Sequence, residues 1–381
     1  MNRLILLIVA FSAWCTSAIA QQKLSESATI SVITCAPGNL IYECFGHTAI
    51  RVQDPEQKDF DFVFNYGIFE FNKPNFELNF AKGYMEYKLG VQRFDAFKGV
   101  YTKDNRTITE QVFNLNQEEK QQFFDYLVWN EKPENRYYMY DYFDDNCATK
   151  VRVVIEDEIG LNVSYNTNFK EEEGLTYRQV IEKYAHNNRW SQLGIDLCLG
   201  MSLDEVLEDR EYDFLPDYLF ETLESAEFDG KPLVKEEIEI HSGVPRTSSR
   251  WFSHPVLIFW ILFIALIAIM SKTSEKTNKL IDAAILGVTG FIGAFLLFVW
   301  LGTNHTDAAN NLNLLWAMPL NLVLIALPKN IKRKYYLFYG LLLAVILLNW
   351  AWFPQEINNA FFPLIGFLCF RSFTGYFRLC D

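Results

Sequence analysis

A cysteine and a histidine in this chain have the types and surroundings of a nucleophilic pair, and the cysteine is considered first. Cys147 stands in DDNCATKVRVVIEDEIG, where Val151, Val154 and Ile155 recur at helical spacing. This spacing predicts a helix that has Cys147 in its first turn and ends at Gly160. A helix N-terminus directs backbone N–H groups and the positive end of the dipole at such a thiol, which favours the thiolate. Cys147 is therefore a candidate nucleophile.

The histidine that could activate this thiol is His47. Asp144 and Asp145 oppose ionisation of the neighbouring thiol, so a cation is needed beside it. His47 can supply that cation by taking the thiol proton and remaining as imidazolium. It lies in FGHTAIRV, where strand alternation places His47, Ala49 and Arg51 on one face. We interpret this face as the polar one.

A third group is expected on the neighbouring strand, where it would orient the imidazole. In FDFVFNYG, Asn65 shares a face with Asp61 and Val63, and Tyr66 lies on the opposite face with the phenylalanines. Asn65 is the predicted orienting residue. Tyr66 is the substitute and a candidate substrate contact.

Structural interpretations compete with this chemistry. An even set of cysteines in an exported segment is typical of two disulfides, and the set here is Cys35, Cys44, Cys147 and Cys198. Cys35 and Cys44 flank a turn and could pair, which would leave Cys147 to pair with Cys198 and exclude a thiolate. His47 could equally be a satisfied core histidine, and Asn65 an ordinary strand hydrogen-bonder.

The segments that must position these residues are short strands followed by helices. Strand patterns appear in ATISVITC, FGHTAIRV, DFDFVFNYG and NRTITEQVFNL, and an amphipathic helix capped by Asn116 follows. We predict an exported domain over 21–224, with a core at 27–160 and a helical extension at 161–224 in which Arg178 and His186 are solvated. Residues 225–254, rich in Glu, Gly, Pro and Ser, are predicted to be a linker.

The two ends of the chain indicate export and membrane attachment. Residues 1–20 have the pattern of a cleavable signal peptide. Five apolar segments follow in the predicted membrane domain, 255–381, at roughly 255–270, 280–301, 312–327, 336–353 and 361–376. Lys and Arg lie in the first and third links and around the end of the last segment, and the second and fourth links have none. This alternation predicts a multi-pass protein of the cytoplasmic membrane with its exported domain on the periplasmic side.

One of the uncharged links, GTNHTDAANN, contains His305. His305 either lines, with Asn313, a route for substrate from the membrane to the thiol or is a polar residue at the interface. We treat His305 as a candidate substrate-binding residue.

The charge of the chain argues against a nucleic-acid partner. It has 47 Asp and Glu against 34 Lys and Arg, a formal net charge of −13, and the acidic excess is concentrated in the exported segment. A surface of this sign repels nucleic acid and anionic lipid headgroups. The sequence also has no Gly-rich phosphate loop and no Cys/His metal spacing, so no metal or other cofactor is expected.

Three segments carry a resemblance to a known family. FGHTAIRV, FVFNYG and PENRYYMYDYFDDNCATKVR resemble the exported domain of bacterial lipoprotein N-acyltransferases of the Lnb type, over roughly 27–220. NLNLLWAMPLNL resembles the membrane portion of some relatives. The order of a histidine strand before a cysteine helix also resembles the circularly permuted papain-like fold of lecithin:retinol acyltransferases, related to NlpC-type peptidases. The resemblance implies an α+β exported domain followed by an α-helical membrane domain of about five spans.

The resemblance also implies a reaction. Cys147 would be the nucleophile, His47 the general base and then the general acid, and Asn65 the third member. The thiolate would take a fatty-acyl chain from a diacylglyceryl lipoprotein or a phospholipid and pass it from a thioester to the α-amine of a lipoprotein's N-terminal cysteine. The alternatives are a membrane-anchored cysteine hydrolase, such as a lipase, thioesterase or peptidase, and a non-enzymatic binding module.

Overall fold

The computed structural model describes residues 23–70, 74–160, 163–165, 169, 172–244 and 254–380, so the predicted signal peptide lies outside the described residues. The chain divides into two compact units. Unit 1 comprises the described parts of Met1–Phe76, Tyr84–Glu173 and Leu207–Arg246; unit 2 comprises those of Glu77–Gly83, Gly174–Val206 and Thr247–Asp381. The predicted helical extension is therefore divided between the units, since residues 174–206 belong to unit 2.

Unit 1 is built on an antiparallel sheet of seven strands in the order β10-β5-β1-β2-β3-β4-β6. Its strands are β1 (Thr29–Cys35), β2 (His47–Gln53), β3 (Asp61–Ile68), β4 (Glu86–Arg93), β5 (Ile108–Phe113), β6 (Tyr137–Met139) and β10 (Val234–His241). A smaller sheet contains β7 (Val163–Ser164), β8 (Glu227–Phe228) and β9 (Lys231–Pro232). Among the described residues the α-helices are α1 (Phe76–Ala81), α2 (Phe94–Lys103), α3 (Gln117–Glu131), α4 (Cys147–Ile159), α5 (Tyr177–Ala185), α6 (Arg189–Cys198), α7 (Pro216–Glu224), α8 (Pro255–Met270), α9 (Glu275–Gly302), α10 (Lys329–Leu348) and α11 (Phe361–Arg378).

Both faces of the large sheet are covered, which differs from the prediction of a polar face. Ile50 and Phe64 pack in one core with residues of α3 and α4. Ala49 and Val63 point the other way and pack against α2. The predicted alternation is therefore confirmed, but the face that carries His47 is buried beneath a helix that the sequence pattern did not reveal.

Arg51 shows how a charged residue is accommodated on this buried face. Its guanidinium bonds to Asp61 through Nε and Nη2 and to Glu110 through Nη1, at 2.7–2.8 Å. It also lies 3.6 Å from the centre of the Phe94 ring. Burial of this charge is tolerated because two carboxylates and an aromatic face replace its water.

The predicted linker was wrong for residues 227–241, which form strands β8, β9 and β10. β10 pairs antiparallel with β5 and forms one edge of the large sheet. Its exposed glutamates, Glu236, Glu237 and Glu239, are typical of an edge strand, where charge discourages pairing with other chains. An acidic strand of this kind has the composition of a solvated linker, which explains the error.

Unit 2 contains one described helix, α9, that is long and apolar enough to cross a membrane, and a shorter apolar helix, α8. The prediction of a helix at 312–327 was wrong. Short 3-10 turns occupy this segment, at Leu312–Leu315, Pro319–Leu322 and Leu324–Ala326. Pro319 lacks the N–H that an α-helix needs there, and buried asparagine side chains hydrogen bond around the turns, as with Asn321 to Thr289 and Tyr339.

Arg178 and His186 were both predicted to be solvated, and the prediction was wrong for Arg178. Arg178 is 4% exposed and bonds to Asp204 at 3.0 Å, to Asp196 at 3.2 Å and to the Gly200 carbonyl at 2.9 Å. His186 is exposed, as predicted. Burial of Arg178 is possible because two carboxylates of the same unit replace water around its charge.

Candidate active site

The helix that carries Cys147 is fixed by the residue that precedes it. α4 begins at Cys147, and Asn146 is its N-cap: the side-chain oxygen accepts hydrogen bonds from the N–H groups of Ala148 at 2.7 Å and Thr149 at 3.0 Å. Gly160 follows the last residue of the helix with φ +84°, a conformation suited to glycine. The predicted start and end of this helix are confirmed.

His47 and Asn65 are placed by two neighbouring strands. His47 is the first residue of β2, and Asn65 lies within β3. The Nε2 atom of His47 is 2.6 Å from the Asn65 side-chain oxygen. Because this oxygen accepts a hydrogen bond, Nε2 carries the hydrogen and Nδ1 is the nitrogen left for another partner.

That partner is Cys147, which forms a hydrogen bond with the His47 imidazole. The structure therefore brings together Cys147, His47 and Asn65, the three residues that the sequence analysis assigned to one site. Cys147 and His47 are both half-buried.

The electrostatics of the site favour a thiolate–imidazolium pair. Burial acts against the charged form of Cys147, but the His47 charge, the hydrogen bond from His47 and backbone hydrogen bonds from Thr48 and Cys147 lower the pKa of the thiol below its ordinary value. Burial also acts against charge on His47, yet the Cys147 charge and hydrogen bonds with Cys147 and Asn65 raise the pKa of the imidazole. Each member of the pair stabilises the charge on the other.

Aromatic residues and a glycine close one side of the thiol. Gly67 in β3 has φ +91°, and a Cβ atom there would be 3.7 Å from the Cβ of Cys147 and 4.0 Å from Tyr140. Burial raises the pKa values of Tyr138 and Tyr140, with a further rise from the charge on Cys147. Both phenols are therefore neutral beside the sulfur.

On the other side, Tyr101 and Arg106 form a layer that the sequence analysis missed. The Tyr101 ring lies nearly parallel to the His47 ring, at 13° with centroids 6.3 Å apart. The Arg106 guanidinium lies 4.6 Å from the centre of the Tyr101 ring. Phe94, Phe97 and Tyr101 recur at helical spacing, and that spacing is the signal that could have located α2 over the histidine.

The remaining predicted site residues have other partners. Tyr66 is 2% exposed, packs in the core with α3 and α4, and donates its hydroxyl to Asn130 at 2.5 Å, so it cannot replace Asn65. Asn313 is fully buried in unit 2, where it donates to the Asp196 carbonyl and accepts from Trp316. Its side-chain oxygen and nitrogen are therefore both occupied within unit 2. His305 also lies in unit 2, with Nε2 at 3.1 Å from the Phe80 carbonyl oxygen.

The disulfide interpretation does not hold for the described part of the chain. No disulfide joins any two of the six described cysteines, which are Cys35, Cys44, Cys147, Cys198, Cys369 and Cys380. Cys35 and Cys44, which could have paired across a turn, are both buried thiols, and burial raises the pKa of Cys44 to about 12. Within the described ranges, no group of three or more His, Cys, Asp or Glu could hold a metal ion.

The chain thus combines an α+β unit that pairs a thiol with an imidazole and a helical unit that contains one helix long enough to cross a membrane. This combination is the one expected of a membrane protein with a separate sheet domain. Comparison with protein families agrees with this class. Residues 10–183 match the Lnb N-terminal periplasmic domain, and residues 247–380 match the Lnb transmembrane domain. The chain therefore belongs to the Lnb family, and the resemblance found in the sequence is confirmed. No curated protein and no solved structure matches the chain.

The family assignment also fixes the coarse placement of the chain. The matched domains describe a membrane protein with a periplasmic N-terminal domain and a transmembrane domain. The match to the periplasmic domain contains all three residues of the site, His47, Asn65 and Cys147.

Proposed function

We propose that this protein is a multi-pass acyltransferase of the cytoplasmic membrane that moves a fatty-acyl chain, through a thioester on Cys147, to the N-terminal amine of a bacterial lipoprotein. The observation that supports this most directly is the His47 imidazole, which hydrogen bonds to the Cys147 thiol and, through Nε2, to Asn65 at 2.6 Å. Membership of the Lnb family supplies the substrate class.

The first half of the reaction forms the thioester. The Cys147 thiolate attacks the carbonyl carbon of an acyl ester in a diacylglyceryl lipoprotein or a phospholipid, and a C–S bond forms. As the tetrahedral intermediate collapses, the ester C–O bond breaks and His47 gives its proton to the leaving oxygen. The products are the acyl-enzyme and a lyso compound with a free hydroxyl.

The second half transfers the chain to an amine. The α-amino nitrogen of the acceptor attacks the thioester carbonyl, and neutral His47 takes the proton that the nitrogen loses. The C–S bond breaks, an amide is released, and the thiolate–imidazolium pair is restored. Asn65 fixes the imidazole in one orientation in both halves.

Two backbone N–H groups, one at the start of α4 and one in β2, are the candidates for stabilising the developing oxyanion. The N–H groups of Ala148 and Thr149 are already occupied by Asn146. The N–H groups of Cys147 and Thr48 are directed at the sulfur. An oxygen on the carbon bonded to that sulfur would lie close to these two donors, which is the arrangement that stabilises a tetrahedral oxyanion.

The test is an acyl-transfer assay on the full-length protein in detergent or lipid. A diacyl lipopeptide is the substrate, and mass spectrometry detects the N-acylated peptide. We expect Cys147→Ala and His47→Ala each to lower the rate by about a thousandfold or more, because each removes an essential reacting group. Cys198→Ala removes another half-buried thiol and should leave the rate unchanged.

The same assay separates the proposed function from its competitors. Wild-type protein stopped during turnover should carry an acyl mass on the Cys147 peptide that hydroxylamine removes. Release of fatty acid without N-acylation would instead identify a hydrolase. Full transfer activity in Cys147→Ala would exclude the thioester route.

A further inference from the structure

The residue directly before the candidate nucleophile is an uncharged amide in a strongly acidic segment. Asn146 follows Asp141, Asp144 and Asp145 in the sequence. Its side chain is buried, with 4% of the residue exposed. Aspartate caps a helix N-terminus about as well as asparagine does. Capping alone therefore gives no reason for the amide.

Every polar atom of the Asn146 side chain has a partner. Its oxygen accepts hydrogen bonds from Ala148 and Thr149 at the start of α4. Its nitrogen donates to two carbonyl oxygens at 2.8 Å, those of Tyr142 and Phe214. The side chain thus joins the loop before Cys147, the helix that follows it and the turn at Glu211–Phe214. A carboxylate could satisfy only the first pair, since it has no hydrogen to donate.

The charges that surround the thiol make a neighbouring carboxylate costly. The charged and titratable groups around Cys147 come from several elements. They are His47 from β2, Cys35 from β1, Tyr101 from α2, Tyr138 from β6, Tyr140 and Asp145 from the segment between β6 and α4, Lys150 from α4, and Arg106 beyond Tyr101. Asp145 is neutralised by Lys150 at 2.6 Å. His47 is thus the cation in hydrogen-bond contact with the sulfur, and a new negative charge at position 146 would compete with the thiolate for it.

We infer that Asn146 is a positioning residue for Cys147: its neutral amide holds the helix N-terminus and the loop around the thiol without placing a negative charge beside the sulfur. This inference rests on the proposed function in one respect, the use of Cys147 as the nucleophile. It adds a requirement on the residue that precedes the nucleophile.

The test compares three substitutions by the pH dependence of Cys147 alkylation, followed by mass spectrometry of the peptide that contains it. Asn146→Asp and Asn146→Ser both keep a capping oxygen and both lose the amide donors. The main difference between the two variants is therefore the charge of the side chain. We expect Asn146→Asp to move the alkylation midpoint up by at least about one pH unit, because a carboxylate on the neighbouring residue disfavours the charged form of the thiol. Asn146→Ser should leave the midpoint near the wild-type value.

The matched control is Asn116→Asp. Asn116 caps α3 in the same way, with its oxygen accepting from Glu118 and Glu119. This substitution changes the charge of the protein equally but is remote from the sulfur, so it should leave the alkylation midpoint unchanged. Alkylation requires no acyl substrate, and the outcome therefore does not depend on whether the protein is an acyltransferase.

The outcomes decide the inference directly. An unchanged midpoint in Asn146→Asp, or equal shifts in the aspartate and serine variants, would overturn it. If the aspartate variant does not fold, the inference is tested instead by the acyl-transfer kinetics of Asn146→Ala and Asn146→Ser. We then expect a loss of kcat with an unchanged KM in both variants, about tenfold in the alanine variant, because both lose the amide donors and small misplacements of a nucleophile are costly. Equal, wild-type kcat values in both variants would overturn the positioning role.

Discussion

At the scale of single residues, the site consists of a thiol whose ionisation is shared with a histidine. The Cys147 pKa is lowered and the His47 pKa is raised mainly by their effect on each other, and burial opposes charge on both. Each charge of the pair depends on the other, since removing one charge leaves the other buried without compensation. Asn65 adds a neutral acceptor that holds the imidazole in line with the sulfur.

This pairing predicts a bell-shaped dependence of kcat/KM on pH. Below the lowered Cys147 pKa the sulfur is protonated and does not attack. Above the raised His47 pKa the imidazole has lost the proton that it must give to the leaving oxygen. The rate of N-acylation, measured across the pH range, should therefore rise through the first pKa and fall through the second. A rate independent of pH would contradict the ion pair.

Substitution of Asn65 should move the alkaline limb of that profile. In Asn65→Ala the imidazole loses a hydrogen bond that raises its pKa, so the limb should move to lower pH and kcat should fall by about ten- to a hundredfold. In Asn65→Asp a carboxylate favours imidazolium, so the limb should move to higher pH. The measurement is kcat/KM against pH for both variants, with circular dichroism as the check of folding. If the alkaline limb moves in the same direction in both variants, an orienting role of Asn65 through His47 Nε2 is excluded.

At the scale of elements, the site depends on the ends of strands and helices. His47 begins β2 and Cys147 begins α4, and β3 passes next to the thiol at Gly67, whose φ of +91° favours glycine. In unit 2 a glycine is required for a different reason, close packing. A Cβ atom at Gly293 in α9 would be 1.6 Å from the Ala317 carbonyl oxygen, so the segment of 3-10 turns lies directly against this helix.

Two glycines of α9 provide a matched test of that packing. Gly293→Ala should destabilise the protein by about 3 kcal/mol, because the turn segment must move away from the helix. Gly287→Ala is on the same helix with open space around its Cβ position, and it should be neutral or slightly stabilising. Thermal unfolding of the purified proteins in detergent measures both. Equal melting temperatures for the two variants would show that the turn segment does not pack on α9 as described.

At the scale of the whole molecule, the division into units does not follow the sequence in a simple order. Residues 174–206 lie between two parts of unit 1 along the chain but belong to unit 2. Arg178 shows why, because its partners Asp196, Gly200 and Asp204 come from the same segment. Asp196 in turn accepts a hydrogen bond from Asn358, and the Asp204 carboxylate accepts one from the Glu356 backbone.

Loss of the Arg178 charge should therefore destabilise unit 2. Arg178→Met keeps most of the side-chain volume but leaves Asp196 and Asp204 buried without their cation, which should cost about 3 kcal/mol or more. His186→Ala, on an exposed position nearby, should change stability by less than about 0.5 kcal/mol. Melting temperatures of the full-length proteins in detergent decide the comparison. A stable Arg178→Met protein would show that the ion pairs are dispensable.

The sequence by itself determined the local features of this protein. The start of α4 at Cys147, its end at Gly160 and the alternation in β2 and β3 follow from patterns of a few adjacent residues. Membership of the Lnb family follows from short segments in the same way. Helix caps, strand alternation and apolar runs are set by neighbours in the chain, so they can be recognised without a structure.

Only the tertiary structure decided which residues meet and which faces are covered. Four features depend on partners remote in sequence. They are the packing of α2 over His47, the burial of Arg178, the edge strand within the predicted linker and the turns at 312–327. Tertiary structure likewise places Asn65 beside His47, whereas Tyr66 donates a hydrogen bond to Asn130 in α3. The sequence does not distinguish a polar side chain that hydrogen bonds to water from one that hydrogen bonds to a distant residue. The cost of burying it is offset only in the folded chain, where that distant residue lies beside it.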